Sequence, residues 1–163
     1  MGPDHHRRQL IAAIVLACIA TPTSAIWVAD VKTSPMDGKK TLLLRVQAPK
    51  TSRSPTLTIQ CERGILELVF NARTVLDQTT ADQERPSIRM KYDDAPARRV
   101  FGNRSTDYQA VFIEAPILHM PALLKAKRVL VEFSPLMKNQ IIAEFDVAGL
   151  RDYSDLLKQH CRL

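Results

Sequence analysis

Residues 56–73, TLTIQCERGILELVFNAR, decide the fold class. Leu57, Ile59 and Cys61 alternate with Thr58, Gln60 and Glu62. A period of two puts the apolar set on one face of a strand and the polar set on the other. Arg63–Gly64 then gives a tight reversal, and residues 65–73 return as a second strand. The pair predicts an antiparallel hairpin with Cys61 facing the interior.

The pattern extends in both directions. Before the hairpin, Trp27–Val31 and TLLLRVQ (41–47) are strand-like. SPMDGKK (34–40) separates them as a Pro/Asp/Gly turn. APKTSRSP (48–55) is a polar loop that Pro49 and Pro55 keep irregular. After the hairpin, TVLDQTTADQERP (74–86) decays into an exposed loop. SIRMKYD (87–93), ARRVFG (97–102), YQAVFIE (108–114), RVLVEFS (128–134) and QIIAEFDVA (140–148) follow as strands with short turns between them. PILHMPALLKAK (116–127) breaks the series. Its Ala/Leu/Lys-rich half reads as a short helix that Pro121 helps to start, and PILHMP reads as core, with a contact surface as the alternative. In the closing segment, Leu150, Ser154, Leu157 and Cys161 fall at i, i+4, i+7 and i+11. That spacing is one face of a helix, and it carries Cys161 inward. Short strands joined by turns, with helices that cover them, predict a mainly β protein. The expected form is an antiparallel β-sandwich or barrel-like domain with a C-terminal helix packed on it.

The first 25 residues set the compartment. His5, His6, Arg7 and Arg8 precede an apolar stretch from Leu10 to Ala20, and Thr23 and Ala25 are small residues ahead of a cut. That order is the secretory signal pattern. The apolar stretch is about half the ~20 residues that a membrane-spanning helix needs. An uncleaved anchor is the alternative and would allow transient membrane association. Lipidation at Cys18 is a further one, against which the bulky Leu16 argues. A cut after Ala25 leaves residues 26–163 as a single β-rich domain, long enough for a core, in the periplasm.

Export leaves two cysteines, Cys61 and Cys161. An even pair in an oxidising compartment reads as a disulfide. The bridge would tie the last helix to an early strand. A reactive thiol would need a base, and His160, next in sequence to Cys161, projects about 100° away on a helix.

Charge excludes little. Lys and Arg number 23 against 17 Asp and Glu, a net charge of +6, and losing Arg7, Arg8 and Asp4 leaves +5. The basic residues are scattered, which argues against nucleic acid as a partner. Lys125, Lys127 and Arg128 lie between helix and strand, where they either hold an anionic partner or form a solvated junction. Asp93–Asp94 is the best carboxylate pair, although adjacent residues leaving a strand diverge, and Asp before Ala–Pro suits a turn. Asp107 reads as a loop residue, Asp146 as a cap near the last helix, and His119 as a satisfied or half-exposed histidine. No nucleophile motif, metal-ligand spacing or phosphate-binding glycine loop is present in the sequence, so no catalytic residue, metal or cofactor is expected.

Taken in order, four segments resemble the type VI secretion-associated VasI family of periplasmic accessory proteins. They are WVADVKTSPMDGKKTLLL (27–44), LTIQCERGILELVF (57–70), IRMKYDDAPARRVFGNRSTD (88–107) and LLKAKRVLVEFSPLMKNQIIAEFDVAGLRDYSDLLKQHC (123–161). That family's pattern would place one tryptophan near Phe101 and another where Arg162 stands. The resemblance implies an exported, non-enzymatic protein that binds an envelope or secretion-apparatus partner. It also implies the same Cys61–Cys161 bridge. An inhibitor or immunity-type protein that blocks an envelope hydrolase is the alternative, with loops 48–55 and 77–86 as plugs. The residues expected to meet a partner are Asp93, Asp94, Lys125, Lys127 and Arg128.

Overall fold

The structure, a computed structural model, describes residues 26–49, 54–77 and 86–161. The N-terminal segment expected to direct export, Cys18 included, lies outside them, as do parts of both candidate plug loops.

Among the described residues nine strands form one sheet: β1 (Val28–Thr33), β2 (Lys40–Gln47), β3 (Thr56–Glu62), β4 (Ile65–Asn71), β5 (Ser87–Tyr92), β6 (Arg98–Arg104), β7 (Ala110–Ile113), β8 (Arg128–Phe133) and β9 (Ile141–Asp146). Their order across the sheet is β1-β2-β3-β4-β7-β6-β5-β8-β9, and every neighbouring pair is antiparallel. The fold is therefore mainly β, as the alternation requires. The described residues hold two α-helices, α1 (Met120–Leu123) and α2 (Ser154–Cys161). Each is preceded by a 3-10 segment, over Pro116–Leu118 and Ala148–Tyr153. The helix expected over 149–161 is thus a 3-10 segment followed by α2, and the inward face survives the change: Leu150, Leu157 and Cys161 are buried.

The hairpin at 56–71 sets the first register. Cys61 stands opposite Leu66, Ile59 opposite Leu68 and Leu57 opposite Phe70. At its tip Arg63 (φ 54°) and Gly64 (φ 80°) both have positive φ, the condition of a two-residue type I′ turn, whose twist matches that of the strands. Glycine meets that condition without strain, whereas Arg63 carries a Cβ into the left-handed region.

The sheet curls. Laid flat, β4 and β8 would stand four strand spacings apart, about 19 Å. The rings of Phe70 on β4 and Phe133 on β8 instead lie 5.1 Å apart, and Phe145 on β9 meets Phe70 edge-on at 6.3 Å. The two ends of the sheet approach as well. Trp27, just before β1, donates from Nε1 to the carbonyl of Val147 just after β9, at 3.4 Å, and Tyr153 donates its hydroxyl to the Trp27 carbonyl at 3.0 Å. The enclosed cluster holds Leu42, Leu44, Leu57, Ile59, Leu68, Phe70, Val129, Val131 and Phe145 among its most buried members.

Helix α2 packs on β2 and β3. The Cys61–Cys161 disulfide fixes it there, with Cα atoms 5.1 Å apart across 100 residues of sequence, and both cysteines are buried.

On β6 the chain needs a glycine for a different reason from that at Gly64. A Cβ on Gly102 would lie 2.6 Å from Val111 Cγ1 and would run into the carbonyl of Phe112 on β7. A side chain there would hold β6 and β7 apart.

Candidate functional site

Two of the residue groups singled out in the sequence meet at one corner, where β5 turns into β6 beside the start of β8. Asp93 sits at φ 45°, a conformation aspartate tolerates better than most residues. Its Oδ1 accepts from the backbone N–H of Lys127 at 3.0 Å and of Arg128 at 2.8 Å, and its own N–H donates to the Arg128 carbonyl at 2.9 Å. Asp93 therefore clamps the β5–β6 turn to the first residues of β8. Asp94, its neighbour in sequence, is exposed, and so are Lys125, Lys127 and Arg128. Arg128 leans toward Glu144 on β9 at 3.7 Å. The corner thus presents three cations and two exposed acids, Asp94 and Glu144, around a carboxylate already held by backbone donors.

A hydrogen-bonded pair with no local sequence signature stands beside this corner. Tyr92, the last residue of β5, and Nδ1 of His119 are 3.0 Å apart. Burial pushes the Tyr92 hydroxyl up to about 12 and pulls the His119 imidazole below its ordinary 6.5. Both groups are neutral near pH 7, so the pair joins the 116–123 segment to β5 without a charge. A satisfied or half-exposed histidine is the expectation at 119, and the sequence names no partner for it, because 27 residues separate the two and no local spacing links them.

That segment corrects the expectation that PILHMP is core. Met120 and Leu123 are buried, but Ile117 is 50% and Leu118 76% exposed. Ala115 at φ 46° swings the chain into the 3-10 turn, and the turn lifts both side chains off the core. Ile65, at the start of β4, is 65% exposed, and β4 borders this turn.

The remaining carboxylates have local work. Asp107 accepts from Ser105 Oγ at 2.5 Å and from the Gln109 N–H at 3.1 Å, and these bonds, the serine's first, hold its carboxyl below the usual range. It lies in the β6–β7 loop, at the opposite end of β6 from Asp93, so the two do not share a site. Asp146 accepts from the Ala148 N–H at 3.1 Å, at the start of the final 3-10 segment. Among the described residues no group of three or more His, Cys, Asp and Glu is placed to hold a metal. A groove of about 310 Å³ runs between Ala48, Pro49, Ser54 and Pro55 on one side and Ile141–Glu144 on the other.

The architecture defines a class of protein: a curled antiparallel sheet with a disulfide-tethered helix packed on it. No family model matches the chain, and no curated protein does. Among solved structures, the chain is similar to invasion associated protein B from Bartonella henselae, with a TM-score of 0.61 over 84% of this chain and 93% of that one. Sequence identity is 10%, so the likeness is one of fold. The resemblance to the VasI family rests on the quoted motifs alone. Among the described residues no helix is long and apolar enough to cross a membrane.

Proposed function

We propose that this chain is an exported, non-enzymatic protein of the bacterial envelope that works by binding another protein. The observation that carries the proposal is the buried Cys61–Cys161 bridge, a bond that forms and persists in oxidising compartments. A rigid stapled scaffold loses little conformational freedom on binding, which suits a recognition module. The corner of Asp94, Lys125, Lys127 and Arg128, together with the raised Ile117 and Leu118, supplies the mixture of charged rim and apolar contact that a protein partner uses.

In its most concrete form, the partner belongs to a contractile secretion apparatus, as the VasI-like motifs imply. The envelope-hydrolase inhibitor is the second reading, favoured by the groove beside loop 48–55. Affinity capture from an envelope extract, with Leu118→Asp and Lys127→Glu/Arg128→Glu variants as controls, separates them. Recovery of an apparatus component that both variants lose supports the first reading. Recovery of a single hydrolase whose activity the protein blocks replaces it with the second. Reduced cysteines in protein taken from cells would overturn both.

A further inference from the structure

We propose that the free edge of β1 pairs with the same edge of a second copy, in an antiparallel register centred on Val31. Strand β1 ends the sheet, and all six of its residues are exposed. Among the described residues nothing hydrogen-bonds its outer side. It contains no proline, and Val28 and Val31 are 63% and 42% exposed. An unpaired edge of this kind is a template for another strand.

Charge selects the occupant and the register. In an antiparallel pair, residues directly opposite must point to the same face, so a self-pairing β1 has only three registers near its middle. Centred on Asp30, it sets Asp30 against Asp30. Centred on Lys32, it sets Lys32 against Lys32. Centred on Val31, it sets Asp30 of each copy against Lys32 of the other, twice, with Val31 against Val31 and Ala29 against Thr33. Opposite charges directly across a pair favour it and like charges oppose it, so only the Val31 register is self-complementary. Within one copy, Asp30 and Lys32 already approach on the same face at 3.8 Å, both more than half exposed, so they are free to exchange partners. The far edge, β9, offers no such register, since its charged residues, Glu144 and Asp146, are both acids. The twofold pairing uses up both β1 edges, and assembly stops at the dimer.

Cysteine cross-linking and sedimentation of the purified protein test this. At the twofold, the two Cα atoms of residue 31 stand about 4.5–5.5 Å apart, within the range a disulfide spans. Val31→Cys is expected to give a covalent dimer under mild oxidation, while Lys32→Cys, whose partner is residue 30, gives far less. Peptide mapping confirms that Cys61–Cys161 is intact in both. Asp30→Lys and Lys32→Asp should each weaken self-association by about tenfold or more, and mixing the two variants should restore it as a heterodimer. Unchanged circular dichroism shows that these edge variants are folded. Equal cross-linking at positions 31 and 32 overturns the register. A wild-type protein that sediments as a monomer at every concentration, with no Val31→Cys dimer, overturns the pairing.

Discussion

Removing the disulfide tests the scaffold most directly. In the Cys61→Ala/Cys161→Ala variant, both replacements sit at buried positions, where alanine leaves little void. The main effect is on the unfolded chain, which regains the freedom of a loop 100 residues long. Chain entropy puts that at about 4.7 kcal/mol, and removing native bridges typically costs about 2–5 kcal/mol. At roughly 3–4 °C per kcal/mol for a chain of this length, a cost of about 2–5 kcal/mol lowers Tm by roughly 6–20 °C. The loss is not uniform. Helix α2 has eight residues, too few to be stable alone. Without the bridge it is held by Leu157, by the 3-10 segment with buried Leu150, and by the bond from Tyr153 to Trp27. Calorimetry reads the global change. Hydrogen exchange should show α2 amides losing protection well before those of β3 and β4. A fall in Tm below about 3 °C, or α2 amides as protected as the β3 ladder, would refute the claim that the bridge holds the helix to the sheet.

Three further outcomes are expected. Asp93→Ala removes the acceptor of two exposed backbone N–H groups and places alanine at positive φ, which should cost about 1–3 kcal/mol in chemical denaturation, while Asp93→Asn, which keeps an acceptor and tolerates positive φ, costs less. Gly102→Ala drives a methyl into β7 and should destabilise by about 1–3 kcal/mol or more, with Gly102→Ser no better. The Tyr92–His119 pair makes stability depend on pH at both ends. The folded-state value of His119 lies below 6.5, so its contribution is full above pH 6.5 and is lost as pH falls toward the folded value. The folded-state value of Tyr92 is raised, so stability is full below its ordinary 10.0 and is lost as pH rises through about 12. Urea denaturation across pH should show the fall in stability just below pH 6.5 shrink in His119→Gln, leaving the carboxylates' loss at lower pH, and the alkaline fall shrink in Tyr92→Phe.

Much of the fold was legible in the chain. Alternation of Leu57, Ile59 and Cys61 is a property of adjacent residues, so strand, inward face and reversal at Arg63–Gly64 could be read directly. The helical spacing of Leu150, Leu157 and Cys161 likewise reported an inward face, although it did not reveal that a 3-10 segment carries the first of them. The bridge followed from two cysteines and an expected oxidising compartment.

Tertiary structure alone decided the rest. Nothing local says that β4 pairs with β7 rather than β5, or that Phe70 meets Phe133 and Phe145 once the sheet curls. Tyr92 finds His119, and Asp93 finds the backbone of Lys127 and Arg128, only because the β5–β8 pairing brings those segments together. Ile117 and Leu118 looked like core and are raised to the surface by the turn at Ala115. Sequence periodicity reports which side of an element is apolar. Which element that side meets depends on closing long loops around a shared core, and that free energy belongs to the whole chain.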